Sequence, residues 1–518
     1  MEHRHSLRRF AAAALAFAVP SGLFAATPVA RAGDFIDTRL TFTMGDDQIL
    51  PGEANLRGTL SPTWSFSERD GYRLFFDNLD SRTTGRENQI HVVLYKKVDG
   101  YFPGLITEAA GAFEVDMARS GASLDDNGSY LRLEYRFQGV EIPERNFDVT
   151  MFPLSSDRLR LGYAFEISWG GDDIFAGADT SDAVPGARVG LHYDRFAAAL
   201  TFKTAFIQEN VEPGIIVADG SRKETNYAAM ASFSVDVLES LHLDAGFGYF
   251  EQGLIQGGGA AGSPQYTFGG SMQLVLHVGM PVGGSLDLRL VRNDPEYEDR
   301  LHAREKYEAG VTSVRVAAEG SYIMQHLGDP NDFGSTVLQP AYAAALTGRL
   351  KVGFTRVFLD VYLKSGSFIV LDRPGFVPGL SFFLGDGVDE KPELFASVGA
   401  DHHLPGPHLT IGVFGGIQFP ATVTVDGAGP AGEPATIILR NENDQEPLPI
   451  GTAADPIRAV PIFTGKLVVR WDLSDILTVA AIGFAGLDRN LTNRQGFGDL
   501  DFINPTVVGG YLTAAARF

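Results

Sequence analysis

Charged side chains that alternate with apolar ones are the residues of this sequence with the clearest chemical potential. Between Leu131 and Phe137 every second residue is apolar, and the residues in between are Arg132, Glu134 and Arg136. Opposed rows of guanidinium and carboxylate groups create a field that orients and filters polar solutes. The same groups could instead pair with one another across strands and only fill space. The candidate solute-contacting residues are Glu114, Asp116, Arg132, Glu134, Arg136, Arg158, Arg160 and Glu166.

No catalytic motif accompanies these charges. The sequence contains no G-x-S-x-G elbow, no H-E-x-x-H pair and no phosphate-binding loop. It also has no cysteine, which excludes thiol nucleophiles and Cys-ligated metals. His402, His403 and His408 are close in sequence and could bind a metal ion, although solvated turn residues explain them better. We predict that the protein is not an enzyme and has no resident cofactor.

Two acidic stretches could bind a hard cation. Gly170–Asp173, with Asp179 and Asp182 further on, contains four carboxylates and no basic residue, and Asp125–Gly128 is a similar oxygen-rich turn. Calcium prefers such oxygen ligands. The alternative is a solvated loop rich in aspartate and glycine, and we favour it. Calcium at these acidic external loops is a secondary expectation.

The elements that must position the charges are long β-strands. Residues 158–169 alternate apolar with small or charged positions throughout, a pattern of period 2 that is typical of a strand. A tilted strand of this length crosses an apolar band of ~25 Å, whereas strands of soluble sandwiches are usually shorter. Charge on the lipid face costs roughly 2–4 kcal/mol at mid-bilayer, so the charged face must line the lumen. The pattern predicts an all-β, transmembrane antiparallel β-barrel, and the residues named first become candidate pore-lining residues.

Composition and the chain start support export to an envelope. The 518 residues include 60 glycines and carry a net charge of −22, which disfavours a nucleic-acid partner. A basic start, an alanine-rich apolar run and Ala30-Arg31-Ala32 predict a signal peptide over residues 1–32. After residue 32 the longest apolar run, 477–487, is far short of the ~18–20 residues of a membrane helix.

Connections of two lengths alternate along the chain, as the turns and external loops of transmembrane barrels do. The alternation predicts about 20 strands, with 18–22 allowed, and its parity fails by one near residues 294–340. The charged segment 293–307 reads as a long surface connection. We assign residues 90–518 to the barrel. Residues 33–89 are a periplasmic lead, a small plug or the first strands.

The chain ends in an alternating segment closed by Phe518. An aromatic terminal residue on a last strand resembles the signal that the barrel-assembly machinery of Gram-negative bacteria reads. The sequence therefore predicts an outer-membrane location. The expected partners are membrane lipid, lipopolysaccharide and the barrel-assembly machinery, with periplasmic or envelope complex proteins as further possibilities.

Across the mature chain the sequence resembles porin-like outer-membrane β-barrels. The block Gly71–Arg82, continued by Gly85–Asn88, is similar to uncharacterised barrels of myxobacteria, which also use porin-like barrels in gliding-motility machinery. The resemblance implies a passive channel for small polar solutes. The alternatives are a structural component of an envelope-spanning or motility machine and, more weakly, an outer-membrane enzyme.

Overall fold

A computed structural model places most of the chain after residue 36. It describes residues 37–46, 49, 86–117, 123–126, 128–137, 145–162, 164, 167–175, 183–209, 222–255, 259–279, 309–329, 332, 334–371, 388–425, 435–439, 448–452, 459–474, 476–490, 492–494, 500–502 and 504–517. These residues belong to one compact unit, Asp37–Phe518. The predicted signal peptide, Glu166 and Phe518 lie outside the described residues.

The described chain is a closed antiparallel β-barrel, as the alternation predicted. One strand set forms the wall: β1 (Asp37–Asp46), β2 (Arg86–Asp99), β3 (Leu105–Asp116), β4 (Ser123–Asp126), β5 (Tyr130–Arg136), β6 (Arg145–Phe152), β7 (Gly186–Tyr193), β8 (Phe196–Glu209), β9 (Arg222–Leu238), β10 (Leu241–Leu254), β11 (Pro264–Val278), β12 (Thr312–Gly328), β13 (Thr336–Val352), β14 (Thr355–Lys364), β16 (Glu393–Leu404), β17 (Leu409–Phe419), β21 (Ile462–Asp472), β22 (Leu477–Leu487) and β25 (Thr506–Arg517). They form one 19-stranded sheet. β4 and β5 pair with successive parts of β3 and so occupy one position in the wall, which makes a ring of 18 strands.

The ring closes between the first and last strands. β1 pairs with β25 from Arg39↔Arg517 to Asp46↔Gly510, and on its other side with β2 from Asp37↔Tyr95 to Asp46↔Arg86. Residues 37–46, inside the segment 33–89 that the sequence left open, are therefore a barrel strand.

Apolar side chains cover the outside of the wall, and polar ones lie on the inside. In β5, Leu131, Leu133 and Tyr135 are 43–47% exposed, whereas Arg132 and Glu134 are buried. Successive side chains of a strand point to opposite faces, so this contrast repeats around the ring. Such an exterior suits lipid, and an antiparallel barrel of this kind leaves no sheet edge unpaired within the membrane.

The two ends of the barrel differ in their connections. Turns such as 194–195, 239–240 and 353–354 lie at one end, here called the short-turn end. The connections 153–185, 365–392 and 420–461 leave the other, the long-loop end. In transmembrane barrels the short turns are periplasmic and the long loops external.

The strand count of 18 falls at the lower limit of the predicted range, and two errors explain the failed parity. β11 pairs directly with β12, from Tyr266↔His326 to Val278↔Val314, so no barrel strand lies between them. The segment 293–307, predicted as a surface connection, lies outside the described residues. Residues 158–169 are not a barrel strand either, because β6 pairs directly with β7. The alternation gives 19 strands from residue 90 onward, and removing one predicted strand at each of these two places and adding β1 gives 18, an even number.

The remaining elements lie with the long connections. The short helix α1 (Gly366–Ile369) has all its residues buried, and Ser365 caps its start. A four-stranded sheet contains β15 (Val388–Lys391), β18 (Ala421–Val425), β19 (Ala435–Leu439) and β20 (Leu448–Thr452), and β23 (Thr492–Arg494) pairs with β24 (Leu500–Phe502). No helix among the described residues is long and apolar enough to span a membrane.

Candidate functional site in the barrel lumen

A network of buried charges lines the inner face of β3, β5, β6 and β7. Register places Glu108 opposite Arg132, and Glu134 opposite Asp148. Arg132 Nη1 lies 2.6 Å from Glu134 Oε2 and 3.5 Å from Glu108 Oε2, and Arg132 Nε lies 3.4 Å from Asp148 Oδ1. All four side chains are at most 3% exposed. One guanidinium therefore bridges three carboxylates on three strands.

The network continues toward β7. Arg188 Nη1 donates to Asp148 Oδ1 at 2.9 Å, and His192 Nε2 lies 3.2 Å from Asp148 Oδ2. Arg136 Nε donates to Glu134 Oε1 at 2.7 Å. Buried charges persist when they are paired and hydrogen-bonded, and this network meets that condition.

The structure brings only some of the predicted residues into this network. Arg132, Glu134 and Arg136 belong to it. Glu114 is elsewhere on the inner wall, with Oε2 3.7 Å from His91 Nε2. Asp116 is the last residue of β3, and Glu166 is outside the described residues. The carboxylates that contact Arg132 and Arg136 are those of Glu108, Glu134 and Asp148, not those of Glu114 and Asp116.

Arg158 and Arg160 lie in a different element, which we call the lumen insert: residues 153–175 of the connection from β6 to β7. Arg158 is fully buried and packs directly beneath Gly128, whose φ of +85° and lack of a Cβ permit the approach. Arg160 pairs with Asp157. The predicted transmembrane strand over 158–169 is thus wrong, and both arginines are carried by a segment folded inside the barrel.

The lumen insert is a hairpin-like excursion. Leu161 and Trp169 exchange two backbone hydrogen bonds, of 2.8 and 2.9 Å, and Ile167 N donates to Ala164 O at 3.0 Å. Six of its apolar side chains are buried, namely those of Leu159, Leu161, Ile167, Trp169, Ile174 and Phe175. An isolated hairpin cannot bury so much apolar surface, so the insert depends on the wall that it covers.

Side chains of the wall hold the backbone of the insert. Lys203 on β8 donates to Gly170 O at 2.8 Å, and Gln252 on β10 donates to Ile174 O at 2.7 Å. Glu319 on β12 accepts from Ala164 N at 3.0 Å. β8, β10 and β12 are alternate strands of the wall, with β9 and β11 between them, so the insert extends from the β6–β7 connection to β12.

Trp169 is the main apolar anchor of the insert tip. Its ring lies 5.5 Å from that of Phe250, and its Nε1–H donates to Ser271 Oγ at 2.9 Å. Ser271 is the central residue of β11, so the tip reaches the middle of the wall. The inner wall under the insert is correspondingly apolar, because Ala205, Ala228 and Met230 are buried in one cluster with the apolar side chains of the insert. The inner face of β8 carries Ala197, Ala199, Ala205 and Ile207 beside Thr201 and Lys203. This mainly apolar inner face is a sequence signal that could have indicated a covering segment.

A cluster of carboxylates at the base of the insert is used structurally. Asp172 accepts hydrogen bonds from Ser155 Oγ at 2.8 Å and Ser156 Oγ at 3.1 Å, and it lies 3.7 Å from Lys203 Nζ. Burial raises the pKa of Asp172 to about 6, Lys203 opposes the rise, and nearby Asp157 adds to it. Burial also opposes the ionisation of Asp157, but Arg160 and Lys203 outweigh it and lower the pKa of Asp157.

The expected calcium ligands take other roles where they are described. Asp126 accepts from Gly128 N at 3.2 Å and Ser155 N at 3.1 Å. Asp179 and Asp182 lie outside the described residues. Within the described part of the chain, no group of three or more histidine or acidic side chains could hold a metal ion. Calcium binding remains a prediction.

One serine–histidine–aspartate arrangement escaped the sequence analysis. Ser234 Oγ lies 3.2 Å from His242 Nε2, and Asp236 Oδ1 lies 2.6 Å from His242 Nδ1. However, Asp244 Oδ2 lies 2.9 Å from the same Nε2, and Ser234 is only 2% exposed. A nucleophile needs a base that is available to it and access to substrate. The arrangement therefore gives no support to an enzyme.

Comparisons with known proteins find matches among solved structures. No protein-family model matches the chain, and no curated protein matches it. The solved structures that match include the Pseudomonas aeruginosa outer membrane protein OpdK, with 11% sequence identity and a TM-score of 0.42. The match covers 93% of this chain and 98% of OpdK. Acinetobacter baumannii OccAB4 has 10% identity and a TM-score of 0.41, with 93% and 98% covered. The Escherichia coli carbohydrate-binding barrel Wzi has 9% identity and a TM-score of 0.38, with 93% and 85% covered.

Proposed function

We propose that the protein is a porin-like channel for passive diffusion of small polar solutes across the outer membrane of a Gram-negative bacterium. The observation that carries the proposal is the pairing of an apolar exterior with a charged interior. Arg132 and Asp148 are buried inside the wall at 1% and 0% exposure, while Leu131 and Leu133 beside them face outward. Antiparallel barrels with this contrast are typical of Gram-negative outer membranes.

The lumen insert supports a channel of restricted width. A ring of 18 strands is too wide for side chains alone to fill, so a segment that folds inward determines the passage. The insert covers the inner wall from β8 to β12 and is held there by Lys203, Gln252 and Glu319. Its anchors are wall side chains bound to its backbone, which favours a fixed element over a moving lid. Solutes would pass along the polar walls that the insert leaves.

Conductance of the purified protein in planar lipid bilayers tests the proposal. We expect stepwise current increases of uniform size as channels insert. Deleting the insert tip, residues 162–168, should increase the single-channel conductance. Deleting residues 259–262 from the β10–β11 connection at the same end is the matched control and should leave conductance unchanged.

A folded protein that conducts no ions would contradict the channel function. If such a protein also co-purified from native envelopes with a periplasmic complex, the structural or motility alternative would be favoured. The structural or motility alternative stays a prediction, and its basis is the similarity of Gly71–Arg82 and Gly85–Asn88 to uncharacterised myxobacterial barrels. Lipopolysaccharide and the barrel-assembly machinery remain the proposed partners, the latter through Phe518.

A further inference from the structure

Two hydrogen-bond acceptors face each other on the inner wall near the short-turn end. His242 is the second residue of β10, and its Nδ1 lies 2.6 Å from Oδ1 of Asp236 on β9. A carboxylate accepts the proton of that nitrogen, so in the neutral imidazole Nε2 carries a lone pair. This Nε2 lies 2.9 Å from Oδ2 of Asp244, which is also an acceptor. The contact is favourable only with a proton or a metal ion between the two atoms.

The carboxylate of Asp244 is short of partners. Asp244 is fully buried, and in the described part of the chain neither of its oxygens accepts a hydrogen bond. A buried carboxylate that is neither hydrogen-bonded nor bound to a cation is strongly unfavourable. Register places Ser234 on β9 and Gln273 on β11 directly opposite Asp244. Three polar side chains therefore form one row across three neighbouring strands.

The two neighbours of Asp244 supply neutral oxygen atoms. Ser234 is 2% exposed, and its Oγ lies 3.2 Å from His242 Nε2. Gln273 is 4% exposed, and its Nε2 donates to Glu319 Oε2 at 2.6 Å. The other end of this amide, Oε1, accepts no hydrogen bond from the described residues. With His242 and Asp244, these residues offer one nitrogen and three oxygen ligands.

The spacing of these atoms suits a tetrahedral metal ion. Bonds of about 2.0–2.1 Å place neighbouring ligand atoms of a tetrahedral zinc site about 3.3 Å apart. The distances from His242 Nε2 to Asp244 Oδ2 and to Ser234 Oγ, 2.9 and 3.2 Å, are close to this value. A ligating histidine usually donates its other ring nitrogen to a carboxylate, as His242 does to Asp236. The Asp236 side chain is 45% exposed, so the outer end of the cluster is open to solvent.

We propose that His242, Asp244 and Ser234 bind a zinc ion, with Gln273 Oε1 as the fourth ligand and Asp236 as a positioning residue. The ion replaces a proton between Nε2 and the carboxylate and links β9, β10 and β11. Only two ligands are of the histidine or acid class, and neutral oxygens complete the set. The site goes beyond the channel function and does not depend on it.

Calorimetric titration of the metal-free, detergent-solubilised full-length protein with zinc chloride tests the site. A pH of about 8 limits competition from protons. The wild type should bind zinc saturably and calcium at least tenfold more weakly, because calcium prefers oxygen ligands to imidazole. H242Q and D244N should each lose at least tenfold in zinc affinity. D236N leaves all four ligands in place and should lose roughly tenfold or more, because an outer carboxylate orients the ring.

H402Q is the matched control for the loss of a histidine. His402 lies at the same end of the barrel, with its Nδ1 2.9 Å from Thr355 Oγ1, and H402Q should bind zinc as the wild type does. Heat-modifiable migration on a gel verifies that each variant is folded. If H242Q or D244N does not fold, D236N at its exposed position still decides the outcome.

Three results would overturn the site. The wild type could bind no zinc, which would leave a proton between His242 and Asp244. It could bind calcium as tightly as zinc, which would exclude a ligand set that contains imidazole. H402Q could lose as much affinity as H242Q, which would place the zinc at the histidines of segment 402–408.

Conductance is measured separately in bilayers. Zinc binding without any conductance would refute the channel and leave the site standing. Conductance without zinc binding would refute the site and leave the channel standing.

Discussion

Trp169→Ala is the most informative single change, because Trp169 joins the insert tip to the wall. The side chain is 4% exposed, packs on Phe250 at 5.5 Å and donates to Ser271 at 2.9 Å. Truncating a buried tryptophan to alanine typically costs about 3–5 kcal/mol. Ser271 keeps a hydrogen bond with Ser321 at 2.7 Å, so its hydroxyl adds little to that cost.

The loss should weaken the insert without unfolding the barrel. Trp169 lies outside the barrel ladder, so no interstrand hydrogen bond of the wall is removed. Of the remaining anchors, the neutral amide of Gln252 contributes roughly 0.5–1.5 kcal/mol, and the charged side chains of Lys203 and Glu319 contribute roughly 1.5–3 kcal/mol each. A cost of about 3 kcal/mol corresponds to roughly a hundredfold shift in an equilibrium. We expect the tip to detach measurably often in the variant.

Single-channel recording measures this effect. W169A should show a higher mean conductance or fast current fluctuations between two levels, with unchanged heat-modifiable migration. W471A is the matched control, because Trp471 faces outward at 49% exposure and does not touch the insert. If W169A is folded and its conductance and current noise equal those of the wild type, the insert does not limit the passage.

The remaining predictions concern stability, pH and assembly. R132Q leaves three buried carboxylates without their shared cation, so the free energy of unfolding measured with denaturant should fall by about 3–5 kcal/mol. R145Q removes one partner of the exposed pair with Asp194 and should change that free energy little. Because the pKa of Asp172 is raised to about 6, lowering the pH from 7 to 5 should neutralise this carboxylate. The reversal potential should then shift toward anion preference, and D172N should show no such shift. Unboiled and boiled protein should migrate differently on a denaturing gel, and identical migration would contradict a stable barrel. Deleting Phe518 should reduce surface yield in cells, and a normal yield would refute its role in assembly.

The alternation of the sequence was sufficient to predict the barrel and the facing of strands such as β5. Lipid tolerates charge poorly, so Arg132 and Glu134 can only point inward once Leu131 and Leu133 point outward. This facing is a local property of consecutive residues, because a shift of the strand by one residue would place the charged side chains in lipid. The contacts of those inward side chains do not follow from this local pattern. Glu108 is 24 positions from Arg132, and only the register of β3 against β5 brings them together.

The lumen insert shows where local pattern fails. Residues 158–169 alternate as a transmembrane strand does, but Arg158 and Leu159 are both buried, because the segment is enclosed within the barrel. Only tertiary structure distinguishes the two, since direct pairing of β6 with β7 leaves no place for another strand between them. The same holds for Arg315 opposite Arg349, which are 34 positions apart in sequence and meet only because β12 and β13 pair in one register. The period of a strand and the direction in which each side chain points depend on neighbouring residues in the sequence. The contact partners of a side chain and its position in the lumen depend on strands that come together only when the ring closes.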